Sequence, residues 1–119
     1  MNRRFDRERY FNARDKVLIA FKKLRKDNIT ARANFLCCMN CASSALSSVV
    51  DEKKTVGAVY WHRQDEERFE EDGVLNIRYF SDTEENCLKL ANKIVAALKE
   101  EGLNITWNGN TDTTIEVNA

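Results

Sequence analysis

From Asn2 to Asp27 the chain holds neither glycine nor proline, so nothing in that stretch interrupts a helix. Tyr10, Val17, Phe21 and Leu24 fall on one stripe within it, with Phe11 and Leu18 widening the stripe, as a helix packed along one side requires. Lys22, Lys23, Arg25 and Lys26 crowd the last turns, where cations meet the negative end of the helix dipole. Asp27-Asn28 supplies the stop. A basic amphipathic helix over residues 1–27 is therefore predicted, and residues 28–119 must cover its apolar side.

The rest of the chain alternates between two periods. Thr30 to Cys37 reads as a strand, with Ala31, Ala33, Phe35 and Cys37 alternating with Arg32, Asn34 and Leu36. Cys38-Met39-Asn40 makes a corner, and Asn40 caps a small-residue helix from Cys41 to about Glu52. Val56 to His62 is nearly all apolar, which suits a central strand covered on both faces. Asp65 to Gly73 reads as an acidic connection with room for a helical turn. Val74 to Phe80 places Leu75, Ile77 and Tyr79 inward and Asn76 and Arg78 outward. Ser81-x-x-Glu84 has the pattern of a capping box, and Cys87, Ala91, Ile94, Val95 and Leu98 form the apolar stripe of the helix behind it. Gly102 ends that helix. Leu103, Ile105 and Trp107 then lead through Asn108-Gly109-Asn110 to Ile115 and Val117 in a terminal hairpin. The prediction is one α+β domain of order α-β-α-β-β-α-β-β, with a mostly antiparallel sheet and helices packed on it.

A length of 119 residues fits one core. Equal numbers of basic and acidic residues, 19 each, leave no general signal for a polyanion. The distribution is uneven, because residues 1–27 carry a balance of +6 and residues 28–119 one of −6. A basic helix meeting an acidic partner or nucleic acid explains this, as does neutralisation of one half by the other within the fold. Asp6, Glu8 and Asp15 interrupt the basic run, and aromatics interleaved with glycine are missing, so nucleic acid is disfavoured. No apolar run reaches the roughly 18 residues of a membrane span. The charged start does not lead into a signal peptide, and three of the four cysteines are crowded together unlike a disulfide framework. The expected compartment is the cytoplasm.

Cys37-Cys38-Met39-Asn40-Cys41 is the stretch richest in chemistry. Thiols at a helix start are biased toward thiolate, and Cys38 and Cys41 have C-x-x-C spacing. The order strand, C-x-x-C, helix echoes a thioredoxin-like domain, but that fold sets a cis-proline beside its thiols and this chain has no proline. Zinc is the other use, through Cys37, Cys38, Cys41 and His62, with Cys87 as an alternative fourth ligand. Buried structural cysteines account for the stretch as well. His62 is the only histidine, so any base near neutral pH falls to it. If its strand lies beside the one leading to Cys38, a Cys–His pair with Asp65 as orienter is conceivable. A polar strand end running into a solvated acidic loop explains His62 equally. The acids from Asp65 to Asp72 lack the spacing of a calcium loop, and no phosphate-binding glycine loop or metallopeptidase motif occurs.

Phe35-Leu36-Cys37-Cys38-Met39-Asn40-Cys41-Ala42, Tyr60-Trp61-His62-Arg63-Gln64-Asp65, and the tail running through Gly102-Leu103, Trp107-Asn108-Gly109 and Ile115-Glu116-Val117 resemble a bacterial family of unknown function. Its members carry a C-C-x-x-C corner, an H-x-Q-D strand end and a G-L…W-x-G tail. The resemblance covers roughly residues 30–117 as a core. It implies that Cys38, Cys41, His62, Gln64 and Asp65 are the positions at which to look for a site, and that Trp107 anchors a turn.

With no catalytic constellation standing out, the preferred expectation is a small accessory or regulatory protein that binds another macromolecule, a protein first, without a cofactor. The candidate contact residues are Arg3, Arg4, Arg7 and Arg9 on the basic helix and Glu66, Glu67, Glu70 and Glu71 in the acidic segment. A thiol-redox or zinc protein centred on Cys38, Cys41 and His62 is the alternative, and nucleic-acid binding through the first helix is the third.

Overall fold

The computed structural model describes residues 6–34 and 55–119. The first helix, α1, runs over Arg7–Lys26 and is opened by Asp6, whose carboxylate accepts from the Glu8 N–H at 3.0 Å. It closes on Asn28, held at φ 63°, while the Asn28 and Ile29 N–H groups reach back to the Arg25 and Leu24 carbonyls at 3.2 Å. That pair of bonds is a Schellman ending, and the burial of Leu24 and Ile29 supplies its apolar contact. Tyr10, Val17, Phe21 and Leu24 are buried as the stripe predicts. Phe11 is not part of that stripe. It is exposed and Leu18 only half-buried, and Ala13 and Ala20 widen the buried face on the opposite flank, where small side chains let α1 approach its neighbours.

Strand β1 is Thr30–Arg32, shorter than the predicted Thr30 to Cys37. Ala33 leaves the extended conformation, and Asn34 takes a φ of 48°, which no strand residue adopts. The cysteine corner and the predicted helix from Cys41 to Glu52 lie outside the described residues. Strand β2, Gly57–Tyr60, is buried along its whole length. A Cβ on Gly57 would stand 2.5 Å from the Phe80 carbonyl oxygen and 2.9 Å from Leu90 Cδ2, so this position takes only glycine.

The acidic connection is a helix, not a loop. Helix α2 spans Arg63–Asp72, begins on a reciprocal capping box between His62 and Asp65, and ends at Gly73 with φ 75°. Strand β3, Val74–Ser81, buries Leu75 and Ile77 completely. Helix α3, Glu84–Glu100, is capped by Thr83, whose hydroxyl accepts from the Asn86 N–H at 3.1 Å. Ser81, the predicted cap, instead finishes β3 and donates to the Val56 carbonyl at 2.6 Å. Gly102, at φ 79°, closes α3 with the same Schellman pattern as α1, through Gly102 N–H to Lys99 and Leu103 N–H to Leu98. Strands β4, Asn104–Thr106, and β5, Ile115–Asn118, form the predicted terminal hairpin.

The five strands lie in the order β1-β2-β3-β5-β4. Among the described strands only β1 and β2 run parallel. β3 joins two half-sheets: its residues Arg78 to Ser81 pair with β2 and its residues Val74 to Ile77 pair with β5. Ala31, Val59, Leu75, Ile77, Ile115 and Val117 form one buried face, sharing a core with Val17, Phe21 and Leu24 of α1 and Leu90, Ile94 and Leu98 of α3. This is the α+β class, with a mostly antiparallel sheet.

Candidate functional site

His62 and Asp65 meet where β2 gives way to α2. Parallel pairing brings the ends of β1 and β2 to one edge, and the Trp61 N–H donates to the Arg32 carbonyl at 3.3 Å. His62 is thus next to the chain leading toward Cys38, although Cys37, Cys38 and Cys41 lie outside the described residues. The His62 Nδ1 accepts from the Asp65 backbone N–H at 3.4 Å, which puts the imidazole proton on Nε2, and Nε2 faces Asp65 Oδ2 at 3.4 Å. The Asp65 carboxylate is gripped by both arms of the Arg78 guanidinium, Nε at 2.8 Å and Nη2 at 3.1 Å. Arg78 comes from β3, so three elements close on this point.

These groups are away from water. Relative exposure is 2% for His62 and 4% for Asp65. Burial pushes the His62 imidazole below its ordinary value; Asp65 opposes that shift and the Arg78 cation reinforces it. The ring is neutral, with both nitrogens directed at one residue. The Arg78 guanidinium is raised in turn by its hydrogen bond to Asp65.

One residue further on, Glu66 ties α2 to α1. Its Oε2 accepts from the Tyr10 hydroxyl at 2.9 Å and its Oε1 from Arg14 Nε at 2.8 Å. Burial and the Glu66 carboxylate push the Tyr10 phenol up to about 12. The Arg14 guanidinium also lies 5.9 Å over the Trp61 ring, which packs edge-on against Phe21. The Trp61 indole N–H is buried and has no acceptor among the described residues. Phe69, one turn along α2, packs edge-on against Tyr10.

The candidate residues therefore divide. His62, Asp65 and Glu66 form one buried polar cluster with Arg78, Arg14 and Tyr10. Gln64, Glu67 and Glu71 are exposed on α2, and Glu70 is half-buried 3.7 Å from Arg7. Arg7 stacks on Phe11 at 5.6 Å, and Arg9 donates to the Ala119 carbonyl at 2.9 Å. Arg3 and Arg4 lie outside the described residues. Cys87 is half-buried, and burial pushes its thiol up, away from the thiolate form. Among the described residues no group of three or more His, Cys, Asp or Glu could hold a metal ion.

Arg14, Tyr10 and Arg78 did not emerge from the sequence as members of this cluster. One signal was present for Arg14, a charge four residues after Tyr10 and three before Val17, at the margin of the buried stripe. Arg78 stands at a regular outward position of an alternating strand, and nothing local links it to Asp65.

The chain's +6 and −6 halves meet across these contacts. Arg14 with Glu66, Arg7 with Glu70, and Lys23 with Glu100 and Glu101 all join the basic helix to the acidic remainder. No helix among the described residues is long and apolar enough to cross a membrane. No curated protein and no solved structure matches the chain. A family model described as a domain of unknown function (DUF6891) matches residues 7–119, from the first turn of α1 to the end of the hairpin. The chain belongs to that family.

Proposed function

We propose that this protein acts by binding a protein partner through the outer face of α1, as an accessory or regulatory component of the cytoplasm. The observation that carries the reading is a pair of large apolar side chains on the solvent side of that helix. Phe11 is 48% exposed and Ile19 47%. Eight residues separate them, about 12 Å along the axis, and both lie away from the buried Val17 and Leu24. Lys22 and Lys26 fall on the same side, with Asp15 between the two apolar residues. Phe11 touches Tyr10 and the Arg7 guanidinium at 5.0 and 5.6 Å yet stays exposed, and a helix packed along one face gains little from apolar groups left in water on the other. Two anchors bordered by lysines suit an apolar patch with an acidic rim.

Two further features favour binding over catalysis. The one histidine is 2% exposed and its Nδ1 accepts from the Asp65 N–H at the start of α2, a capping role rather than an open base. The buried carboxylates Asp65 and Glu66 are matched by Arg78 and Arg14. Because Arg7, Arg14 and Lys23 are engaged within the chain, a protein is preferred to nucleic acid. No cofactor takes part in this reading.

The test is affinity capture with wild-type protein and with Phe11→Ser/Ile19→Ser, followed by rebinding of the captured protein in purified form. The expected result is a partner whose Kd weakens about tenfold or more in the double variant, the scale of a lost anchor pair. Equal binding by both proteins, or no protein retained by the wild type, would overturn the reading.

A further inference from the structure

The two outer strands of the described sheet, β1 and β4, are finished differently. The Arg32 carbonyl faces β2, where it accepts from the Trp61 N–H, so the alternate carbonyl, that of Ala31, points outward. Both arms of the Arg25 guanidinium donate to it, at 3.2 and 2.9 Å, and Arg32 Nη1 does so at 3.0 Å. Cationic donors thus occupy the outward acceptor of β1, a guard that keeps a strand edge from pairing.

β4 has no such guard. The Ala119 N–H donates to the Gly73 carbonyl, which fixes the phase of β5: Val117 faces β3, and Glu116 and Asn118 face β4. Asn104 and Thr106 therefore carry the ladder bonds to β5, and the Ile105 N–H and carbonyl between them point out of the sheet. Neither has a partner among the described residues. Residues 102–111 hold no charged side chain, in a chain that is 32% charged, so no lysine or carboxylate shields this edge. Leu103, Ile105 and Trp107 lie along it on the helix-covered face, packed on the core yet only half-buried.

We propose that this edge is an interface with a second copy of the chain, β4 against β4, antiparallel about a two-fold axis at Ile105. The sequence is complementary to itself in that register. Each Ile105 donates to the other and accepts from it, and each Trp107 N–H meets the Leu103 carbonyl of the second copy. The Leu103 N–H is not required, being bonded already to the Leu98 carbonyl at 3.4 Å. On the helix-covered face Leu103 stands opposite Trp107 of the second copy and Ile105 opposite Ile105, which covers apolar surface the single chain leaves half in water. On the other face Asn104 stands opposite Thr106, and no like charges meet. An unrelated extended peptide would use the same main-chain groups without this match of side chains. Because the β1 edge is guarded, the pairing closes as a dimer rather than continuing as a fibre. A contact confined to residues 103–107 is smaller than the roughly 1,200 Å² of a stable complex, so the dimer is reversible, with a Kd on the order of 10–100 µM. It uses neither Phe11 nor Ile19 and stands independently of binding at the outer face of α1.

The experiment is sedimentation velocity of the full chain under reducing conditions from about 5 to 500 µM. It is paired with an isotope-filtered NOE measurement on mixed labelled and unlabelled protein at the upper concentration. Wild type is expected to pass from monomer to dimer, with a contact between the Leu103 methyls of one copy and the Trp107 ring of the other. Within one chain these residues are about 13 Å apart along the strand, so only the proposed pairing brings them together. Asn104→Lys/Thr106→Lys changes two exposed positions, sets like charges opposite each other on both sides of the axis, and should weaken the dimer about tenfold. Phe11→Ser/Ile19→Ser should dimerise as wild type does. The NOE is read on wild-type protein and does not depend on how any variant folds. A monomer at every concentration, a dimer untouched by the lysine pair or lost with Phe11 and Ile19, or a dimer without the Leu103–Trp107 contact would each overturn the proposal.

Discussion

The hairpin tip and the α2 junction satisfy their polar groups in opposite ways. Between Trp107 and Thr114 nearly every bond is short in sequence, neutral and exposed. Asn108 Oδ1 accepts from the Asn110 N–H at 2.9 Å, Asn110 Oδ1 from the Asp112 N–H at 2.8 Å, and the Trp107 indole donates to the Asn110 carbonyl at 3.1 Å. Two contributors are distant: the Tyr79 hydroxyl donates to the Thr113 carbonyl at 2.8 Å, and the Thr114 hydroxyl donates to Asn76 Oδ1 at 3.3 Å. At the α2 junction the partners are charged, buried and far apart in the chain: Asp65 with Arg78, Glu66 with Arg14 and Tyr10. Water can replace a broken bond at the tip. At the junction nothing replaces a missing partner, because the group left behind is a charge in a poorly polarisable place.

The largest expected effect follows directly. Arg78→Ala leaves Asp65 buried and unpaired, and should cost about 3–5 kcal/mol in urea unfolding. Asp65→Asn/Arg78→Met should cost clearly less than the sum of its single changes, and additive costs would show that the pair does not act as a unit.

Next in size is the tie between α1 and α2. Tyr10→Phe removes one hydrogen bond to a charged group and should cost about 1.5–3 kcal/mol. The same change should flatten the alkaline limb of stability. Because the folded phenol is raised to about 12, its contribution is complete below the unfolded value and is lost as pH rises through the folded one.

The acid limb tests His62. Its folded imidazole is depressed, so its contribution is present above the unfolded value of about 6.5 and is lost as pH falls through the folded one. Wild type should therefore lose stability between pH 7.5 and 5 faster than His62→Asn, which retains a capping acceptor without a titrating ring. Parallel slopes for the two proteins would remove His62 from the account.

The smallest effect belongs to the tip. Asn108→Ala should cost about 1 kcal/mol or less in the same unfolding assay, since exposed neutral bonds have water as a substitute. A loss there as large as that of Arg78→Ala would erase the contrast between the two regions.

The same contrast explains what the sequence reveals. α1, α3 and the hairpin are legible because their signals are local: apolar stripes, Asn28 and Gly102 at positive φ, and the turn at Asn108-Gly109-Asn110. α2 is not, because its inward face reads His62, Asp65, Glu66, Phe69, a helical spacing with a single apolar member. Its cap is also a histidine, a residue that rarely announces a helix start. The site is legible in part for a related reason. His62 and Asp65 are neighbours in the chain, but Arg78 and Arg14 reach them only once β3 and α1 are in place. The α1 stripe shows how a periodicity can mislead at its edge, since Phe11 fits the pattern and faces water.

Because β3 serves one half-sheet with its first four residues and the other with its last four, its register is set from two sides at once. A slip by one residue would turn Leu75 and Ile77 out of the core and carry Arg78 to the opposite face of the sheet, away from Asp65. The ion pair thus acts as an alignment key. An incorrectly threaded β3 forfeits its apolar contacts and strands a buried carboxylate as well, which biases the folding chain against the near-native alternatives that a short sheet edge would otherwise tolerate.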